Sequence, residues 1–179
     1  QDIWATGQQG TLVHWNGSAW TATPPPAGYE TVPFSPIWGS RSDDVWAATG
    51  NTMVHWDGSS WSVSPSPAMY TIEGIWGSGP SDVWAVSLSV LMHWDGSAWT
   101  AVTLPQSVQY TPFFDVWASS QRDAWVVGRQ GTVMHWDGTA WSILQSGTTT
   151  TLTAVWGDGR GNLWIIGENG LILYHRYAA

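Results

Sequence analysis

One short motif dominates the sequence, His-Trp-Asp/Asn-Gly-x-x-Trp, and it returns at nearly equal intervals. Its clear copies begin at His14, His55, His93 and His135. Successive copies are about 40 residues apart, which is the period of a supersecondary unit that stacks on its neighbours. We place a fifth, altered copy at His175, where Arg176 and Tyr177 replace Trp and Asp. A repeat of this kind predicts several similar units that share one continuous core.

Two further elements precede the copies of the motif, the first before all five and the second before the last four. The first is Asp-x-Trp or a relative of it, which starts at Asp2, Asp44, Asp82, Asp123 and Asn162. The second is Trp-Gly/Ala-Ser/Asp, which starts at Trp38, Trp76, Trp117 and Trp156. Each full repeat therefore holds four short runs rich in Trp, Val, Ile and Thr. We name them A, B, C and D, which in one repeat are the run around Ile75 and Trp76 and the runs 83–86, 90–94 and 97–102. Turn-forming Gly, Pro and Asp residues separate these runs, so that each run is predicted to be a β-strand.

Four strands in about 40 residues are typical of one blade of a β-propeller. Apolar and aromatic residues occur on both faces of the strands, which fits blades that are covered on both sides. We therefore predict an all-β propeller of five blades with up to four antiparallel strands each, in a single domain over residues 1–179. The predicted blades are 1–23 (strands B, C and D), 30–63, 70–103, 110–144 and 150–177 (strands A, B and C).

The predicted strands do not complete a ring. The first blade lacks its inner strand A and the last blade lacks its outer strand D. The gap could be filled by chain outside this sequence, by a neighbouring subunit, or by nothing. Strand exchange between subunits would produce a homo-oligomer.

Segments 82–86 and 91–96 carry a resemblance to known propellers. They are similar to tectonin-type repeats and, more loosely, to the five-bladed tachylectin. The residues of the repeat are also similar to those of bacterial surface repeats. The resemblance implies a protein that binds sugars or other proteins in pockets between adjacent blades. The long polar loops of the tachylectin pattern are not matched here, so its sugar contacts cannot be transferred.

The composition argues against several classes of function. A net charge of −8 without a basic patch disfavours nucleic acid as a partner. No apolar run approaches the length of about 20 residues that membrane insertion requires. The absence of Cys excludes disulfides and thiolate metal sites, and no cofactor is predicted. Few charges together with many Ser, Thr, Gly and Trp residues favour an extracellular or cell-surface location.

Most of the repeated polar residues have a structural interpretation. The five His lie too far from the propeller axis to share one metal ion, so that we expect each to form a hydrogen bond with a turn or to pack on Trp, and we predict no metal site. Asp57, Asp95 and Asp137 are expected to close hairpin turns with the Gly that follows them. They are also weak candidates for ligand binding.

Aromatic residues are the better candidates for binding. Trp20, Trp61, Trp99 and Trp141 of the D strands are expected to fill the space between blades, with some rings left open for sugar stacking. Tyr29, Tyr70 and Tyr110 precede strand A in three repeats and are expected to lie on the rim of one face.

We predict a non-enzymatic propeller that binds glycans in the clefts between blades. The alternative is a scaffold that binds partner proteins in an extracellular complex. A glycoside hydrolase based on Glu73 and Asp115 of the inner strands is a less favoured possibility, because such an enzyme needs two suitably spaced carboxyl groups. No other catalytic motif is present.

Overall fold

The computed structural model describes residues 2–176, which form five antiparallel sheets in chain order. Sheet 1 contains β1 (Ile3–Thr6), β2 (Leu12–Trp15) and β3 (Trp20–Ala22). Sheet 2 contains β4 (Ile37–Arg41), β5 (Asp44–Thr49), β6 (Thr52–Trp56) and β7 (Trp61–Ser64). Sheet 3 contains β8 (Ile72–Gly79), β9 (Asp82–Ser87), β10 (Leu91–Trp94) and β11 (Trp99–Ala101).

Sheet 4 contains β12 (Phe113–Ser120), β13 (Asp123–Gly128), β14 (Thr132–Trp136) and β15 (Trp141–Gln145). Sheet 5 contains β16 (Leu152–Gly157), β17 (Asn162–Gly167) and β18 (Ile172–Arg176). Short 3-10 turns cover Gln106–Val108, Arg129–Gly131 and Glu168–Gly170. No helix in the described part of the chain is long and apolar enough to cross a membrane.

The turn between strands C and D shows why the motif folds as a hairpin. In sheet 2 the Oδ1 atom of Asp57 accepts hydrogen bonds from the backbone N–H groups of Ser59 and Ser60, at 2.8 and 2.9 Å. Gly58 has a φ of +94°, which a residue with a side chain rarely adopts. The Asp-Gly pair therefore closes the turn through an Asx hydrogen bond and a left-handed glycine.

The core is divided into layers between successive sheets. Along β5, Val45 and Ala47 face sheet 1, whereas Trp46 and Ala48 face sheet 3. This alternation is the normal consequence of a strand whose successive side chains point to opposite faces. Each central sheet is therefore apolar on both faces because both faces are covered.

Four core clusters join the five sheets, and each of them lies between two successive sheets. Within residues 2–176 no such cluster joins sheet 5 to sheet 1. The missing contact leaves a Trp uncovered in the last sheet. Trp156 of β16 is 51% exposed, while the equivalent Trp117 of β12 is 3% exposed. The described sheets therefore form an open arc, with sheet 1 at one end and sheet 5 at the other.

The predicted fold class is confirmed, including the three-stranded first and last blades. The alignment of the last repeat was wrong by one residue. Tyr174, not His175, pairs with Trp164 in the way that His55 pairs with Trp46 in sheet 2. Gln1 and Tyr177, the predicted outer limits of the first and last blades, lie outside the described residues.

Candidate functional site

The repeated His and Asp residues bind each other within each sheet. In sheet 3 the Oδ1 atom of Asp82 on β9 lies 2.7 Å from Nε2 of His93 on β10, and its Oδ2 atom accepts a 2.5 Å hydrogen bond from the Ser78 hydroxyl on β8. One carboxylate thus links three strands of the same sheet. The same arrangement occurs with Ser40, Asp44 and His55 in sheet 2 and with Ser119, Asp123 and His135 in sheet 4.

Burial and hydrogen bonding act on Asp82 in opposite directions. Burial disfavours its charged form, but the hydrogen bonds from His93 and Ser78 and the charge of His93 outweigh it, so that the pKa of Asp82 lies below its ordinary value. Asp82 is only 2% exposed. The buried carboxylate is therefore ionised at neutral pH and held by its neighbours.

Each of these histidines also packs on the Trp of strand B. The ring centroids of Trp46 and His55 are 4.3 Å apart, and the two rings are stacked. Trp99 of the next sheet packs edge-on against the same Trp46 ring, with the ring centroids 5.2 Å apart. The predicted structural role of the histidines therefore agrees with their observed contacts.

Sheet 5 forms the same link with other residues. Asn162 on β17 donates from Nδ2 to Asp158 at 2.6 Å, and its Oδ1 accepts a 2.6 Å hydrogen bond from the Tyr174 hydroxyl. The centroid of the Tyr174 ring lies 5.6 Å from that of Trp164. The spacing along the chain carried this signal, because strand B Asp and strand C His are 11 or 12 residues apart and Tyr174 follows Asn162 by 12.

The Trp residues of strand D are mostly buried. Trp61 and Trp99 are each 6% exposed and Trp141 is 9% exposed, and each meets the strand B Trp of the preceding sheet edge-on. These three rings therefore fill the space between blades, and the neighbouring blade covers most of their surface. Trp20 differs, since sheet 1 has no preceding sheet in the described arc and its ring is 51% exposed.

Asp57, Asp95 and Asp137 lie on the face formed by the A-to-B and C-to-D turns, which we name the turn face. Hydrogen bonds from Ser60 and Ser59 lower the pKa of Asp57 to about 2, and bonds from Ser97 and Ala98 do the same for Asp95. Bonds from Thr139 and Ala140 likewise lower the pKa of Asp137 to about 2. In each of them it is the Oδ1 atom that accepts the hydrogen bonds of the turn.

The opposite face, formed by the B-to-C turns and the D-to-A loops, carries exposed apolar side chains, and we name it the loop face. Met69 and Tyr70 lie in the loop before β8, Leu88 in the turn after β9, and Tyr110 in the loop before β12. Their exposed fractions are 71%, 49%, 38% and 83%. Tyr29, the third predicted rim tyrosine, instead packs partly buried on the core between sheets 1 and 2. Met69 and Leu88 lie outside the repeated motif and were not predicted.

A groove at the outer rim between sheets 3 and 4 combines polar and aromatic groups. It has a volume of about 450 Å³ and is lined by Asp82, His93, Trp136 and Trp141 among others. The His-Asp pair within it is already satisfied by its own hydrogen bonds. The rest of its lining includes Ser81, Thr100 and Gln121.

Asp115 is a partly buried carboxyl group at the junction of sheets 4 and 5. Its Oδ2 accepts a 2.9 Å hydrogen bond from the backbone N–H of Val155, and its Oδ1 accepts one from Val116. Burial raises the pKa of Asp115 to about 6, although both hydrogen bonds oppose that rise. Glu73, its proposed catalytic partner, is exposed on β8. Both oxygens of Asp115 therefore serve the backbone.

No group of three or more metal-binding side chains occurs among residues 2–176. The repeat, the five sheets and the layered core define a β-propeller protein. No family model matches the chain, and no curated protein matches it.

Solved structures that resemble this chain include two of YCF48. YCF48 from Cyanidioschyzon merolae superposes with a TM-score of 0.73 at 14% identity, and the match covers 98% of this chain and 66% of that one. YCF48 bound to D1 peptide superposes with a TM-score of 0.58 at 15% identity, over 100% of this chain and 75% of that one. This chain thus spans just under two thirds of the length of the first of these structures, and the likeness concerns the fold.

Proposed function

We propose that the chain is a non-enzymatic binding protein that takes up peptide segments of other proteins on its loop face. This is the interaction scaffold named above as the alternative, now placed ahead of glycan binding. The observation that carries it is the set of exposed apolar side chains Met69, Tyr70, Leu88 and Tyr110, all on one face.

The surroundings of these side chains suit an apolar partner. The D-to-A loops 65–71 and 102–112 and the B-to-C turn 88–90 contain no charged residue. Exposed apolar patches mark interaction sites, and Met and aromatic residues are enriched at protein interfaces. The solved complex of YCF48 with a peptide supports the proposal as a precedent for peptide binding by a similarly folded protein.

The polar residues support a protein without catalytic activity. In the Ser-His-Asp arrangement of hydrolases the imidazole lies between the hydroxyl and the carboxylate. Here the carboxylate of Asp82 lies between Ser78 and His93, so that the histidine cannot accept the proton of the serine. Asp115 is engaged by two backbone N–H groups, which argues against a glycosidase at the inner strands.

Glycan binding stays a second candidate because of Trp20. Its half-exposed ring lies beside Trp15, with centroids 5.8 Å apart, and an open indole face is a suitable platform for a sugar ring. The extracellular location, the homo-oligomer and the tectonin-like relationship stay predictions from the sequence.

Selection from a displayed library of linear 12-residue peptides tests the proposal. Enriched peptides are then titrated by fluorescence polarisation against the parent chain and a triple variant, Met69→Ser, Tyr70→Ser and Tyr110→Ser. We expect the triple variant to weaken binding at least about tenfold, since each change removes apolar contact worth about 1 kcal/mol or more.

The matched control is the double variant Val63→Ser and Ile143→Ser, which removes exposed apolar side chains from the D strands instead. It should leave the affinity unchanged within about twofold. Equal losses in both variants, or no enriched peptide at all, would contradict the loop face as the site. A glycan array in which binding disappears on Trp20→Ser would favour the second candidate.

A further inference from the structure

The chain contains four methionines and no cysteine, so that its sulfur chemistry is confined to thioethers. Met53, Met92 and Met134 lie on strand C of sheets 2, 3 and 4, and each is 0% exposed. Met69 lies in the loop before β8 and is 71% exposed. All four lie among residues 2–176, so that a single Met side chain of the chain is open to solvent.

The three core methionines are enclosed by the sheets around them. Met53 pairs with Ala48 and Met92 with Ala85, and both methionines belong to the core cluster between sheets 2 and 3. Met134 belongs to the cluster between sheets 3 and 4. Because protein interiors are close-packed, an oxidant reaches these side chains only when the sheets separate.

The exposure of Met69 follows from contacts that fix the loop on both sides of it. Ala68 is buried in the core cluster, and its carbonyl oxygen accepts a 3.4 Å hydrogen bond from Nδ2 of Asn51. Ile72 is 1% exposed, and its backbone N–H donates to the carbonyl oxygen of Gly50 at 2.9 Å. With residues 68 and 72 held on the core, Met69 lies on the outer part of a fixed loop.

A thioether reacts with a peroxide in a two-electron step. The sulfur of Met69 attacks one oxygen of hydrogen peroxide, an S–O bond forms as the O–O bond breaks, and the second oxygen leaves with both hydrogens as water. The sulfur is oxidised and the peroxide is reduced. The resulting sulfoxide is polar, whereas the parent side chain is apolar. Since the chain has no thiolate to compete, Met69 is the sulfur that such an oxidant meets first.

We propose that Met69 is an oxidation site that switches the loop face between high affinity for its peptide partner, in the thioether form, and low affinity, in the sulfoxide form. The switch rests on the proposed function, because Met69 is one of the four side chains that define the loop-face site. Flexible Met side chains suit surfaces that bind apolar segments. A sulfoxide oxygen covered by an apolar partner would lose its water without gaining a hydrogen bond.

The site of oxidation is measured on the chain alone. The folded chain is treated with dilute hydrogen peroxide and digested with pepsin, and the sulfoxide at each methionine is followed by mass spectrometry over time. We expect Met69 to be oxidised at least about tenfold faster than Met53, Met92 and Met134, because the core sulfurs react only through opening. In urea the four rates should converge. Equal rates in the folded chain would overturn the assignment of the site.

The effect on binding is measured by fluorescence polarisation, with a fluorescein-labelled copy of the 12-residue peptide most enriched on the parent chain. Oxidation of Met69 should weaken binding about three- to tenfold, because it replaces apolar contact with an unpaired polar group. Methionine sulfoxide reductases of both epimer specificities, supplied with dithiothreitol, should restore the affinity. An affinity that stays the same after complete oxidation of Met69 would overturn the switch and leave the proposed peptide site intact.

Two variants separate Met69 from other effects of peroxide. Met69→Leu has no sulfur at this position, so that peroxide should leave its affinity where it was before treatment. Met92→Leu removes a core sulfur with little change in volume, and should lose affinity on peroxide treatment as the parent chain does. A loss of affinity in peroxide-treated Met69→Leu would assign the effect to another residue and overturn the proposal. If no peptide binds the untreated parent chain, the proposed function fails and the switch fails with it.

Discussion

The central sheets and the fifth sheet hold the same three positions together with different side chains. In sheet 3 a carboxylate, Asp82, stands between two donors. In sheet 5 an amide, Asn162, stands between the acceptor Asp158 and the donor Tyr174. In both sheets a polar link joins strands B and C to the end of strand A or to the turn that follows it, although the side chains that form the link differ.

Burial explains why the two solutions differ. The central carboxylate is covered by blades on both sides, and a buried charge must be fully hydrogen-bonded. Sheet 5 has one uncovered face, where Ile166, Ile172 and Tyr174 are at least half exposed. The carboxylate of this link, Asp158, lies on a turn, where water can solvate its charge.

The largest expected difference between a central sheet and sheet 5 is in the stability that the strand B Trp contributes. Trp46→Ala removes a ring that is 1% exposed and packed on three aromatic neighbours, and should cost about 3–5 kcal/mol of unfolding free energy. Trp164→Ala removes a half-buried ring and should cost about 1–2 kcal/mol. Urea denaturation measures both. Phe at either position should restore part of the loss, and equal costs for the two Ala variants would argue against an open arc.

The junction of sheets 4 and 5 should respond to pH. Because burial raises the pKa of Asp115 to about 6, its protonated form favours the folded state, and this contribution is lost as pH rises from about 4 to above 6. A rise of about two pKa units corresponds to about 3 kcal/mol. Chemical denaturation between pH 4 and 7.5 should show this loss in the parent chain and not in Asp115→Asn. An unchanged pH profile in the variant would contradict the assignment.

The link in sheet 5 can be converted toward that of the central sheets. Asn162→Asp alone would place a second carboxylate against Asp158, and should lower the unfolding free energy by about 1–3 kcal/mol at pH 7. Adding Asp158→Ser and Tyr174→His should recover most of that loss, since the complete Ser-Asp-His set is then present. Thermal denaturation of the single and triple variants measures this recovery of stability. If the triple variant is no more stable than the single variant, the two links are not interchangeable.

The smallest effect is expected at the C-to-D turns. Asn16 of sheet 1 accepts the same bonds from Ser18 and Ala19 as Asp57 accepts in sheet 2. Asp57→Asn should therefore leave the melting temperature unchanged near pH 7, whereas Asp57→Ala should lower it by removing the acceptor. Calorimetry would contradict this interpretation if both variants melted alike.

The repeat predicted the fold well because its information is local. Turn chemistry such as Asp57-Gly58 and the apolar runs between turns define the strands without reference to distant residues. The misplaced His175 shows the limit of motif matching, since the identity of one residue outweighed the spacing from Asn162. The strand register, which the hydrogen bonds fix, selected Tyr174.

The candidate site was less predictable because exposure depends on neighbours. Trp99 and Trp20 occupy the same place in the motif, yet one is 6% and the other 51% exposed, and only the presence of a preceding sheet separates them. Met69 and Leu88 carry no repeat signal at all. The raised pKa of Asp115 likewise depends on burial at the junction with the next sheet.

The four core clusters, each shared by two successive sheets, also determine how the molecule should come apart. Stability in such a series is close to a sum of nearest-neighbour terms, as in a linear Ising chain. A terminal blade gives up one interface when it unfolds, whereas a central blade gives up two. Opening should therefore begin at either end and proceed inward, so that β9 and its neighbours in sheet 3 exchange their amide hydrogens last.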